Sequence, residues 1–296
     1  MHPSPTFWPP APDLRRDEVR VSHAGREYLG HLVAPPREAG PRPLVLVIHN
    51  YQGLKFFDVD VAEYLARVGY VGLAIDMYGD LLPPEERIFP SDARAVPNFQ
   101  KRCFEAMVAV DHDFPDFRGL LQTWLAAGRA HESVDASYSA AAIGYCFGGV
   151  AVLEAVRGGL DLSAVVSFHG LLQTGEDPSP ESAGVKRPEL KRCENSYNTG
   201  TVVLIENGAN DHLVGDTSMK RFFTEMDGAG VQWIFHHHAQ TPHGFALPAT
   251  LGPPGRLHEA SDRRSTMSML SVFREVFPGV VQNTVACNAA GTSIPT

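Results

Sequence analysis

Apolar runs bounded by glycine and proline alternate along this chain with stretches of helical spacing. Leu44-Val45-Leu46-Val47-Ile48 and Tyr70-Val71-Gly72-Leu73-Ala74-Ile75 are continuous aliphatic runs, the pattern of strands covered on both faces. Between them Val61, Leu65 and Val68 form one apolar stripe over residues 58–68, with Gly69 placed to stop the helix. The same reading predicts strands over 28–33, 140–143, 164–168, 201–205 and 231–235. It predicts helices over 114–127, with Phe117, Leu120, Leu121 and Leu125 inward, over 217–227, and over 262–277, with Met269, Val272, Phe273 and Val276 inward. Strands alternating with helices imply a mostly parallel central sheet with helices on both faces. One domain spanning 1–296 is expected, with its core at about 28–278. The Pro-rich first 20 residues, the Pro- and Gly-broken stretch 76–98, the excursion 172–199 and the Asn-, Ala- and Thr-rich tail after Pro278 are expected to be peripheral or looped.

Composition narrows the function classes. With 296 residues, 44% hydrophobic and 20% charged, the chain has ordinary globular composition. A formal net charge of -9 and only scattered basic pairs argue against nucleic acid. No apolar run approaches the roughly 20 residues that span a bilayer, so no membrane role is expected. The start, Met1-His2-Pro3-Ser4-Pro5, lacks the basic and apolar regions of a signal peptide. Cys103, Cys146, Cys193 and Cys287 match no paired metal or redox spacing. A reducing cytoplasm fits these thiols, and the expected partner is a small molecule.

The chemistry-bearing stretch is Gly144-Tyr145-Cys146-Phe147-Gly148-Gly149, between the run Ala140–Ile143 and a second apolar run from Val150. It reads as strand, sharp turn and helix, with a thiol at the apex: the nucleophile elbow of an α/β-hydrolase with Cys where Ser is usual. A nucleophile held in strained backbone needs small neighbours, and Gly144 and Gly148 flank it. The helix N-terminus beneath Cys146 favours a thiolate. The blander account is a small Cys buried for packing.

A thiol hydrolase also needs a histidine and an orienting carboxylate, in the chain order nucleophile, acid, base. Asp211 closes the Gly- and Asn-rich segment after the strand 201–205, and His243 follows the last strand. Both fall where open α/β sheets collect their chemistry. Asp216, the competing acid, reads as the N-cap of its helix. The oxyanion donors are expected at the backbone N–H of Phe147 and of Tyr51, with Asn50 the alternative to Tyr51, in His49-Asn50-Tyr51-Gln52-Gly53 after the strand 44–48. Asn50, Phe245 and His169 are candidate substrate contacts, although His169 could equally cap its strand. His236 and His238 share a strand face, but no carboxylate or Cys stands at metal-ligand spacing, so no metal is expected.

With these residues in place, the chain resembles the dienelactone hydrolase family. The matching segments are His49–Gly53, Asp76-Met77-Tyr78-Gly79, Gly144–Gly149, Ser167-Phe168-His169-Gly170, Gly208-Ala209-Asn210-Asp211 and His243-Gly244-Phe245, in the family's order. The resemblance implies a single-domain α/β-hydrolase that opens an ester or lactone through an acyl-thioester, with a Cys146, Asp211, His243 triad and no metal or organic cofactor. Two departures stand out. Family members commonly carry Glu where this chain has Asn50, so activation of the thiol would fall to His243 alone. The dienelactone-specific enzymes place an Arg shortly after the catalytic histidine, where Ala246-Leu247-Pro248 stand here, so a neutral ester is expected over a compact anionic dienelactone. The competing readings are a non-catalytic binder of small molecules and a thiol redox sensor, the latter disfavoured without a neighbouring resolving Cys.

Overall fold

Strand alternation decides the architecture. The structure, a computed structural model, describes residues 13–83, 86–87, 97–175, 183–248 and 256–283. The first 12 residues, parts of the 76–98 and 172–199 stretches, and the tail beyond residue 283, with Cys287, lie outside the described residues. Eight strands form one sheet in the order β1-β2-β4-β3-β5-β6-β7-β8. They are β1 Arg15–His23, β2 Arg26–Ala34, β3 Leu44–Ile48, β4 Val71–Ile75, β5 Ala140–Tyr145, β6 Leu162–Phe168, β7 Val202–Asn210 and β8 Gln232–Pro242. β1 pairs antiparallel with β2, and β2 with β4; the pairings from β4 through β8 are parallel.

In β3, Leu44, Leu46 and Ile48 enter one core cluster while Val45 and Val47 enter the other. That split is why the strand reads as an unbroken apolar run. The described helices cover the two faces. On one lie α2 Phe99–Asp111, α3 Phe114–Arg129, α4 Phe147–Arg157 and α5 Asp216–Ala229; on the other lie α1 Phe56–Val68 and α6 Glu259–Val276. α1 ends as expected, with Gly69 in the left-handed region at φ +111°.

The structure corrects the sequence reading at several points. β1 begins inside the first 20 residues, expected to be peripheral, and pairs with β2 along its whole length. Its Arg- and Glu-rich pattern is that of a charged edge strand. α2 was not expected; its buried Phe99, Cys103, Phe104, Met107 and Val110 recur at helical spacing directly after a Pro-rich stretch. β7 and β8 run five and seven residues further than their expected ends, to Asn210 and Pro242, and the β8 extension carries the strand face that His236 and His238 were expected to share. Gly215, not Asp216, is the N-cap of α5.

Candidate active site

The strands' C-terminal edge gathers the predicted residues. Cys146 sits between β5 and α4 with φ +55° and ψ −107°, a conformation rarely held by a side-chain-bearing residue. Its backbone N–H donates to the Phe168 carbonyl at 3.0 Å, and its carbonyl accepts from Val150 N–H at 3.2 Å. The elbow is too tight for side chains on its flanks. A Cβ on Gly144 would lie 2.0 Å from the Gly148 carbonyl oxygen, and one on Gly148 would lie 2.1 Å from that of Ile48. Cys146 is buried, at 7% exposure.

Cys146, Asp211 and His243 form one hydrogen-bonded chain. His243 Nε2 lies 3.2 Å from Cys146 Sγ, and His243 Nδ1 lies 2.8 Å from Asp211 Oδ2. The other carboxylate oxygen of Asp211 accepts from Leu213 N–H at 2.9 Å, which fixes the carboxylate's plane. Gly208 lets the two loops meet, because a Cβ there would lie 2.3 Å from the Thr241 carbonyl oxygen, just before His243. Burial of His243 pushes its pKa down. The charge of Cys146 and the hydrogen bond to Asp211 outweigh that and raise it to about 10. The imidazolium form of His243 is therefore favoured.

The loop after β3 is braced from beneath. His49 is fully buried; its Nε2 accepts from Met77 N–H at 3.1 Å, which leaves the ring proton on Nδ1 to donate to the Asn50 carbonyl at 2.6 Å. Burial lowers the His49 pKa to about 3, so the ring is neutral. Tyr78 Oη donates to the Tyr51 carbonyl at 3.0 Å, and Asp76 carboxylate oxygens accept from Tyr78 N–H at 2.9 Å and Gly79 N–H at 3.1 Å. The Asp76–Gly79 segment thus supports the Tyr51 loop. Phe147 begins α4, so its N–H has no acceptor within the helix. Asn50 is buried and engaged locally, its Oδ1 accepting from Gln52 N–H at 2.8 Å.

His169 and Phe245 lie next to the chain of three, and both are fully buried. Their rings stand 5.4 Å apart, and that of His169 stands 5.2 Å from that of His243. Two features escaped the sequence reading. Arg256 brings a guanidinium back to the site from 13 residues beyond His243, Nη1 donating to the His243 carbonyl at 3.3 Å. Arg256 thus braces the backbone of His243. Glu206, buried in β7, accepts from His236 Nδ1 at 2.9 Å and His238 Nε2 at 2.6 Å. It is the carboxylate partner that linear spacing concealed, and the β7–β8 register supplies it. Among the described residues, no group of three His, Cys, Asp or Glu side chains is arranged to hold a metal ion. Among the same residues, no helix is long and apolar enough to cross a membrane.

A parallel sheet with a strained strand-to-helix turn over α4, and loops from β7 and β8 converging on it, defines an α/β-hydrolase. The profile of the dienelactone hydrolase family matches residues 29–277, and the chain belongs to that family of hydrolases. Among solved structures it is similar to the dienelactone hydrolase-like promiscuous phosphotriesterase P91 from metagenomic libraries. The identity is 28% over 89% of this chain and 99% of that one, with a TM-score of 0.70. It is similar to m3DLH at 27% identity over 90% of this chain and 99% of that one, with a TM-score of 0.69. A curated relative, the hydrolase fragment YghX of Escherichia coli K12, is 42% identical over 50 residues. That match spans 17% of this chain and 43% of the relative.

Proposed function

We propose that this chain is a single-domain enzyme that hydrolyses a carboxylic ester or lactone through an acyl-thioester on Cys146. The observation that carries the reading is the chain from Cys146 Sγ through His243 to Asp211, at 3.2 and 2.8 Å, at the apex of a strained elbow. The thiolate attacks the substrate carbonyl carbon, and the N–H groups of Phe147 and Tyr51 receive the developing oxyanion. As the tetrahedral intermediate collapses, His243 gives its Nε2 proton to the leaving alkoxide. A water then attacks the thioester carbonyl; His243 takes the water's proton and returns it to the departing sulfur, and the acid is released. Asp211 holds the ring in the tautomer and orientation that both steps need.

His243 alone serves as the activating group here, since Asn50 cannot take a proton and is tied to Gln52. Arg256 offers a charge partner beside the site, so anionic lactones join neutral esters as candidate substrates. The name of P91 adds phosphotriesters to the panel worth assaying. A cytoplasmic setting suits Cys103, Cys146 and Cys193, which are all free thiols. The deciding experiment is turnover of p-nitrophenyl acetate and a lactone panel by the intact chain and by Cys146→Ala. The variant is expected to fold normally and to turn over nothing above background, while the intact chain gains the acyl mass on Cys146. An active Cys146→Ala would remove the thiol from the mechanism.

A further inference from the structure

His169 spends two structural costs at once. It turns the chain out of β6 with φ +42°, a conformation that suits glycine far better than histidine. Its ring is fully buried, and neither Nδ1 nor Nε2 has a hydrogen-bond partner. Buried polar atoms are normally paired, and an orphaned pair on one ring calls for an explanation. Only its backbone is tied, the N–H donating to the Glu206 carbonyl at 2.9 Å.

The ring's surroundings supply the explanation. Its centroid lies 5.2 Å from that of His243 with the planes 68° apart, 5.4 Å from Phe245 at 78°, and 6.0 Å from Tyr145 at 49°. His169 is thus gripped by aromatic rings and packed against the ring of the proposed base. His243 itself is held at two points in its own plane, Nδ1 on Asp211 and Nε2 on Cys146. Hydrogen bonds tolerate bending, so these two hold the tilt of the ring only loosely. A flat, closely packed neighbour removes that freedom. Neither nitrogen meets a protein partner, so what the ring offers His243 is its packing contact.

We propose that His169 is a positioning residue for His243: a ring packed against the His243 imidazole that keeps its Nε2 on Cys146 while Asp211 holds its Nδ1. This rests on the reading of Cys146 and His243 as nucleophile and base. The titratable and charged groups around His243 are Cys146, Asp211, His169 and His212, whose ring stands 6.2 Å away, with Arg256 on its backbone carbonyl. Replacing His169 leaves all the others in place.

The test compares His169→Phe, which keeps a flat ring without nitrogens, with His169→Leu, which fills space without one, in the full chain. Three quantities are read: kcat and KM for p-nitrophenyl acetate, the pH profile of iodoacetamide alkylation at Cys146, and the melting temperature. His169→Phe is expected to hold kcat within about threefold, keep the alkylation profile and melt higher, because two orphaned nitrogens are gone. His169→Leu is expected to stay folded but lose about 10-fold or more in kcat at nearly unchanged KM, since slight misplacement of a catalytic group is costly. Its Cys146 alkylation near neutral pH slows in step. A Phe variant as damaged as the Leu variant would show that the ring nitrogens are needed, and a Leu variant with the parent's kcat and alkylation profile would remove the role. Either result overturns the proposal. Alkylation reads Cys146 directly, so these outcomes are separate from failure of the hydrolase reading, which shows instead as activity surviving Cys146→Ala.

Discussion

Two carboxylate–histidine clusters stand on β7, β8 and the loops that follow them, and they differ in one respect that matters. Asp211 engages a single histidine, and that ring's far nitrogen meets Cys146 Sγ at 3.2 Å. Glu206 spends its two oxygens on His236 and His238, and among the described residues no nucleophile faces either ring. The electrostatics run parallel. Burial raises the Glu206 pKa, but hydrogen bonds from both histidines outweigh it and lower it, while the bond to Glu206 raises that of His236 against desolvation. A carboxylate–histidine pair is thus a general device for holding a charged imidazole. It becomes a candidate for catalysis only where the other nitrogen is aimed at a reactive atom.

The largest effect that sharpens this contrast is expected at the first cluster. His243→Ala should lower kcat/KM for an ester substrate by about 10³-fold or more, and Asp211→Asn by about 10²–10⁴-fold, with the fold intact by circular dichroism. The matching change in the second cluster, Glu206→Gln, should leave kcat within a few-fold and cost about 1–3 kcal/mol in denaturant unfolding, since it half-breaks a buried hydrogen-bonded network. A catalytic collapse there would erase the distinction between the clusters.

pH separates them further. His243, raised to about 10, adds stability that is fully present below its ordinary value near 6.5 and is lost as pH rises through about 10. For an ester whose alkoxide leaves only once protonated, the acylation rate should fall over the same alkaline limb; rapid-quench release of ethanol from an ethyl ester measures it. For Glu206, with its pKa lowered, the contribution is present above the ordinary carboxylate range and lost as pH falls through the lowered value. His236, with its pKa raised, contributes below its ordinary value and loses that as pH rises. The melting difference between the parent chain and Glu206→Gln should therefore be widest in mildly acidic solution and shrink towards alkaline pH. The smallest effect is expected from Arg256→Ala, which should lower kcat/KM for an anionic lactone by about tenfold or less while sparing a neutral ester, the scale of one solvent-accessible charge contact.

Much of the molecule is legible in the sequence. The runs at Leu44–Ile48 and Tyr70–Ile75, the elbow around Cys146, and the segments ending in Asp211 and His243 all rest on local rules: strand periodicity, a turn that only glycines flank, and acid and base loops in a set order. α2 was hidden because its apolar spacing begins right after a Pro-rich stretch, and β1 because a charged edge strand has only one weakly apolar face. Spacing along the chain could not show that Glu206 meets His236 and His238, since 30 and 32 residues separate the partners.

Local chemistry in the sequence was thus sufficient for the sheet, the elbow and the order of thiol, carboxylate and imidazole. It identified Cys146 as the apex because backbone strain and side-chain size act over a few residues. Only the packed fold decided which groups around that apex stand free and which are committed. Strand register aligned Glu206 with the β8 histidines, tertiary contact set Arg256 on the His243 carbonyl, and the exit from β6 laid the His169 ring against His243. These juxtapositions join residues far apart in the chain, and what brings them within reach is close packing around one sheet edge.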